Sequence, residues 1–144
     1  MQVQSPLRYE IVRAATCAAL IGAAALLILG APSRADGMAR DADGTRMQAR
    51  VQGLGSTQQD SLQPPIDRVD WRTFKLANDA PVTITVRAQP AQIPVQVQLT
   101  DGRGNVLLSG GKPGGDVLRR QLTSGLYYVS VGANARVSYS ISID

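Results

Sequence analysis

The closing stretch of the chain, Gln121 to Asp144 (QLTSGLYYVSVGANARVSYSISID), constrains the fold more than any other. Tyr127, Val129 and Val131 fall on one side of a first segment, and Val137, Tyr139, Ile141 and Ile143 fall on one side of a second. Successive side chains of an extended chain point to opposite faces, so this alternation of β-branched and aromatic residues with polar ones is the pattern of half-buried strands. Gly132 to Arg136 between them supply the small and turn-tolerant residues of a short connection, and the two segments read as a hairpin forming one wall of a core. A lone hairpin is marginal in water, so further apolar strands must come from upstream.

They begin at Ile66. Trp71 to Leu76 places Phe74 and Leu76 on one face. Pro81 to Ala88 sets Val82, Ile84 and Val86 against Thr83, Thr85 and Arg87. Ile93 to Thr100 sets Ile93, Val95, Val97 and Leu99 against Pro94, Gln96, Gln98 and Thr100; Pro94, which lacks a donor, puts this strand at an edge or at its own beginning. Asp101 to Asn105 reads as a tight turn into Val106–Leu108, Ser109 to Gly115 (SGGKPGG) as a flexible loop, and Asp116 to Leu122 as a weaker strand. Short strands separated by turn signals, with no helical period after residue 36, predict an all-β fold: a small antiparallel β-sandwich over 66–144.

The first part of the chain is different. Arg8 and Arg13 precede an uncharged run from Ala14 to Ala31, and Ser33 and Ala35 stand at the small-residue positions of a cleavage site before Asp36. Residues 1–35 therefore read as a signal peptide, with a retained N-terminal membrane anchor as the alternative, since about 18 apolar residues is near the lower limit for a span. Either reading exports the remainder: to the periplasm or the exterior if the leader is cleaved, to the periplasmic side of the inner membrane if it is kept. Residues 36–65 are rich in Gly, Ala, Arg, Asp and Gln, end in Gln63-Pro64-Pro65, and read as a flexible spacer with too little apolar surface to offset the entropy of ordering. Cys17, the one cysteine, lies in the leader, so the exported part has no thiol chemistry. Net charge is +4, but from Asp36 onward 12 basic residues face 10 acidic ones with interspersed signs, which argues against a nucleic-acid partner.

Little catalytic chemistry is available. Histidine is absent, which removes triads of the Ser-His-Asp type. Ser109 and Lys112 have Ser-x-x-Lys spacing, but Gly110, Gly111 and Pro113 deny them the helix that would join amine to hydroxyl. Asp41, Asp43 and Gly44 resemble the start of a calcium loop whose closing glutamate would be Gln52, which excludes an EF-hand. Asp67, Asp70 and Asp101 are the candidate metal ligands: hard oxygen donors for calcium if the sheet gathers them, solvated turn aspartates if it does not. Trp71 and Tyr128 are the candidate ligand surface, an aromatic platform for a sugar or peptide, with a place in the core as the alternative; alternation lets only one of Tyr127 and Tyr128 face inward, and Tyr128 is the better surface candidate.

Asp70-Trp71, Phe74 and Leu76, then PVTITV, VQVQLTDGRGNVL, LTSGLYYVSV and a final SYSISI follow one another in an order that resembles the bacterial pre-peptidase C-terminal domain over Ile66 to Asp144. The resemblance implies a jelly-roll-like sandwich found beside secreted enzymes, without catalysis of its own and in some members binding calcium or an extracellular polymer. Arg72 stands where such domains usually carry an aromatic residue. The functional expectation is an exported, non-catalytic accessory module whose partner is an extracellular or envelope protein or a polysaccharide, with no cofactor, calcium binding at Asp67, Asp70 and Asp101 being the alternative. A membrane-anchored component of an envelope assembly is the alternative.

Overall fold

The computed structural model describes residues 42–144. The leader, and the first residues of the expected spacer, lie outside the described residues. After a short 3-10 turn at Arg46–Gln48 come nine strands: β1 (Arg50–Val51), β2 (Thr57–Leu62), β3 (Val69–Leu76), β4 (Ala80–Gln89), β5 (Pro94–Asp101), β6 (Val106–Pro113), β7 (Gly115–Leu122), β8 (Gly125–Ala133) and β9 (Val137–Ile143). They form two sheets, in the orders β1-β3-β8-β5-β6 and β2-β9-β4-β7. Every pairing is antiparallel except that of β1 with β3.

The pairs nest. β5 lies against β6, β4 against β7, β3 against β8 and β2 against β9, as if one long two-stranded ribbon had been rolled into two layers. That is how a jelly roll is wound, and it matches the expected sandwich. The inward residues are those the alternation named: Phe74, Val95, Val97, Leu99, Tyr127, Val129 and Val131 from one sheet meet Val82, Ile84, Val86, Tyr139, Ile141 and Ile143 from the other, all buried. Phe74 and Tyr127 stack with centroids 5.5 Å apart. Pro94 opens β5, whose neighbours on both sides are paired.

Three expectations are corrected. Gln121 to Asp144 is no hairpin: β8 pairs with β3 and β5, β9 pairs with β2 and β4, and the turn between them crosses from one layer to the other. Alternation fixes which face of a strand is buried and leaves its partner open. Ser109 to Pro113 is not a loop but the second half of β6, paired with Pro94–Gln98 of β5. The sandwich also starts well before Ile66, because Thr57–Leu62 is a strand and Leu62 is fully buried against Val137. The physical reason is that β2 closes an edge where its inward neighbours are polar.

Candidate functional site

That edge lies where β1 and β3 of one sheet face β2 and β9 of the other. Alternation along β3 turns Asp70 and Arg72 inward with Phe74 and Leu76, in register with Val131 and Val129 of β8. From the facing sheet β9 contributes Tyr139, whose neighbour across the ladder is Asp60 of β2. Arg50 of β1 stands opposite Arg72. Asp43 is brought in by the chain just before the 3-10 turn, where its carbonyl accepts from the Trp71 N–H at 2.9 Å.

The side chains form one network between the layers. Arg72, 1% exposed, donates from Nη1 to Asp43 Oδ2 and from Nη2 to Asp60 Oδ2 at 2.5 Å and to the Tyr139 hydroxyl at 3.1 Å. Tyr139 donates in turn to Asp70 Oδ2 at 2.6 Å. Arg50 reaches Asp43 Oδ2 with Nε at 3.3 Å and Asp60 Oδ2 with Nη1 at 3.1 Å. Gln58 of β2 adds a tie across the gap, donating to the Val51 carbonyl at 3.2 Å. Asp43 Oδ1, Asp70 Oδ1 and Arg72 Nε are buried without a hydrogen-bond partner, so the network is not fully satisfied.

Charge inside the network is uneven. The two guanidiniums of Arg50 and Arg72 are shared by Asp43 and Asp60, while Asp70, among the described residues, accepts from a neutral phenol. Burial pushes the Asp70 carboxyl up to about 7; the Tyr139 hydrogen bond opposes this, and the negative charges of Asp43, Asp67 and Asp60 add to it. Burial alone would lower the Arg72 pKa, but Tyr139, Asp43 and Asp60 outweigh it, and the net direction is up. The Tyr139 phenol is held well above its ordinary value by burial and by Asp70, so it stays a donor.

Of the expected calcium ligands, the structure gathers Asp70 but neither Asp67 nor Asp101. Among the described residues, the carboxylates whose oxygens lie within 4.8 Å of one another are Asp43, Asp60 and Asp70. Asp101 instead organises its own turn, accepting from the backbone N–H groups of Arg103 and Asn105 and from the Asn105 amide. Asp43, Arg50 and Asp60 fall in the stretch that reads as spacer. Arg72 could have been found, since it sits two residues before Phe74 on the same face of its strand.

A second arrangement lies on the outer face of the five-stranded sheet. Register places Trp71, Ser130, Gln98 and Ser109 in one row across β3, β8, β5 and β6, and Val69, Gly132, Gln96 and Gly111 in the next. Tyr128, opposite Thr73, is diagonal to Trp71, so the expected pair of ligand-surface aromatics does share a face. Arg46 lies over the Tyr128 ring, 4.5 Å from its centroid, and donates to the Gly102 carbonyl. The Gln96 amide lies flat over Gly111, where a Cβ would meet it at 2.6 Å. Beyond that row the face runs into an open groove of about 460 Å³ between the loops around Gln92–Ile93 and Asn134–Ala135. Ser109 and Lys112 lie along extended strand β6, on opposite faces, with Lys112 paired to Asp116 at 3.0 Å.

No protein-family model matches the chain, and no curated protein matches it in sequence. Among solved structures, the pre-peptidase C-terminal domain of a collagenase from Bacillus anthracis is similar over 67% of this chain and 96% of that domain, with a TM-score of 0.59 and 22% identity. The fold is that of a pre-peptidase C-terminal domain. The Yersinia pseudotuberculosis-derived mitogen (TM-score 0.48, 11% identity, 61% of this chain and 82% of that one) is a looser match. So is a carbohydrate-binding module from a Cellvibrio mixtus lichenase in complex with cellotriose (TM-score 0.38, 16% identity, 64% and 88%). The pre-peptidase C-terminal fold was legible from Ile66 onward, and the structure adds β1, β2 and the network they close. Among the described residues, no helix is long and apolar enough to cross a membrane.

Proposed function

We propose that the chain is an exported, non-catalytic binding module that holds a polysaccharide on the outer face of its five-stranded sheet. The observation that carries this reading is the row of Trp71, Ser130, Gln98 and Ser109, flanked by Gln96 and opening into the 460 Å³ groove. A partly exposed indole gives a flat apolar platform for the C–H face of a sugar ring. Glutamine amides and a serine hydroxyl, each both donor and acceptor, suit neighbouring sugar hydroxyls. The groove is within the usual size of a small-ligand site. Export rests on the leader Met1 to Ala35, and the absence of histidine supports a role without catalysis.

Affinity electrophoresis and pull-down of the full chain against glucans, xylan and peptidoglycan test the proposal. Trp71→Ala is expected to weaken binding at least about tenfold, equivalent to about 1.4 kcal/mol. Gln98→Ala should weaken it less. Tyr128→Ala should have the smallest effect, because Arg46 already covers that ring. Wild-type chain that ignores all of these polymers and is retained instead by an envelope protein would overturn the polysaccharide assignment.

A further inference from the structure

The fold likeness and the three gathered carboxylates invite a calcium ion at the β1/β2 edge, and the side chains there do not fit one. Calcium takes about six to eight oxygen ligands at roughly 2.3–2.6 Å. In this cage one oxygen of each carboxylate is already committed: Asp43 Oδ2 to Arg72 and Arg50, Asp60 Oδ2 to the same two arginines, and Asp70 Oδ2 to the Tyr139 hydroxyl. The Arg72 guanidinium, 1% exposed, stands among them. A divalent ion entering the cage would meet a fixed positive charge at short range in a poorly solvated space, where repulsion is least screened. Guanidinium is always charged, and its planar fork can serve two carboxylates and a phenol from one point.

We propose that Arg72 is the resident cation of this cage, supplied by the chain itself in the place a divalent ion would take, and that it fastens residues 42–51 to the sandwich without any metal. The fastening is physical: Asp43 is fully buried against Arg72, its carbonyl accepts from Trp71, and the segment it starts continues into β1 beside β3. A metal-held segment can be released by a fall in free ion concentration. One held by Arg72 stays in place at any calcium level. Trp71, whose N–H holds Asp43 and whose indole faces the other way, then keeps its setting in calcium-poor surroundings.

The test uses the full chain, with melting measured in millimolar calcium and in chelator, and terbium as a luminescent probe sensitised by Trp71, the one tryptophan. The wild type is expected to melt at the same temperature in both buffers and to give no sensitised terbium emission. Arg72→Met should melt at least about 4 °C lower in chelator. It should also regain part of that loss in calcium and acquire terbium emission, since Asp43, Asp60 and Asp70 would then face one another with only the half-exposed Arg50 at their rim, free to swing into solvent. A wild type stabilised by calcium would overturn the proposal, because an ion that binds only the native state must raise its stability. An Arg72→Met protein as stable as wild type in chelator, or one that is destabilised yet binds neither ion, would overturn it too. Should Arg72→Met not fold at all, the wild-type comparison decides, together with Arg72→Lys, which keeps the charge and must remain indifferent to calcium.

Discussion

The sandwich has two open sides, and the chain closes them in opposite ways. At the side of β6 and β7 it brings the layers together: Gly110 faces inward from β6, and a Cβ there would meet Leu118 Cδ2 at 2.8 Å and run into the Asp116 carboxylate. At the side of β1 and β2 the layers stand apart, and the gap holds Arg50, Arg72, Tyr139 and three carboxylates. The first closure removes volume, and the second fills it with charge. Burying ions costs several kcal/mol each, and an apolar filling of the same shape is often as stable. What the ionic closure adds is specificity of attachment: only a segment carrying a carboxylate at the position of Asp43 completes it.

The largest effect is expected at Arg72. Arg72→Met leaves buried Asp43 and partly buried Asp60 to Arg50, and removing one partner of a buried ionic group costs about 3–5 kcal/mol. Urea unfolding checks it, and the loss should change little with added salt because Arg72 and Asp43 are shielded from solvent ions.

Asp70 gives the next largest effect, with the opposite sign. Its carboxyl titrates near 3.8 when unfolded and at about 7 when folded, so the native state holds the extra proton between those values. Stability contributed by this group is therefore full below about pH 4 and is lost as pH rises through 7. Asp70→Asn keeps an acceptor for the Tyr139 hydroxyl and cannot ionise. Relative to wild type it should gain stability progressively from pH 4 to 7, reaching on the order of 3–4 kcal/mol at pH 8, and match wild type near pH 4. A stability difference that does not vary with pH would show that Asp70 is charged in the native state.

Why one side was legible in the sequence and the other was not follows from the same contrast. β4 and β5 announce themselves because their inward residues, Val82, Ile84, Val86 and Val95, Val97, Leu99, meet hydrocarbon. β2 reads TQQDSL, and its inward positions Gln58 and Asp60 meet Val51's carbonyl and two arginines, so hydrophobic alternation has nothing to report. Arg72 was half visible: its place in the alternation is inward, but what its charge meets there, Asp43 and Asp60, lies 29 and 12 residues away. Tyr128 was separated from Tyr127 as the outward one of the pair because alternation alone decides that. The sheet crossing between β8 and β9 could not be, since Gly132 to Arg136 can turn within a layer or between layers.

The β6/β7 side supplies the smaller effects. Gly110→Ala has to push Leu118 and Asp116 aside, and overpacking of this kind costs about 1–3 kcal/mol. The penalty is steric and should be the same at pH 5 and pH 8, unlike that at Asp70.

Lys112→Ala should be the smallest of all. Lys112 is 71% exposed and reaches the Asp116 carboxylate at 3.0 Å, so the pair has the geometry of an ion pair but the solvation of a surface group. Pairs of this kind are worth about 0–1 kcal/mol. The Lys112 hydrogen bond is the first cause holding the Asp116 carboxyl below its ordinary range, followed by the Val117 N–H, which the variant keeps. A lowered carboxyl contributes stability above its unfolded pKa and loses it as pH falls, so Lys112→Ala should trim the acid-side slope slightly and leave neutral pH almost unchanged. The effect should fade in high salt, where that of Arg72→Met persists. An equal response of the two variants to salt would mean that the β1/β2 network is as open to water as the Lys112 pair, and the contrast between the two closures would be lost.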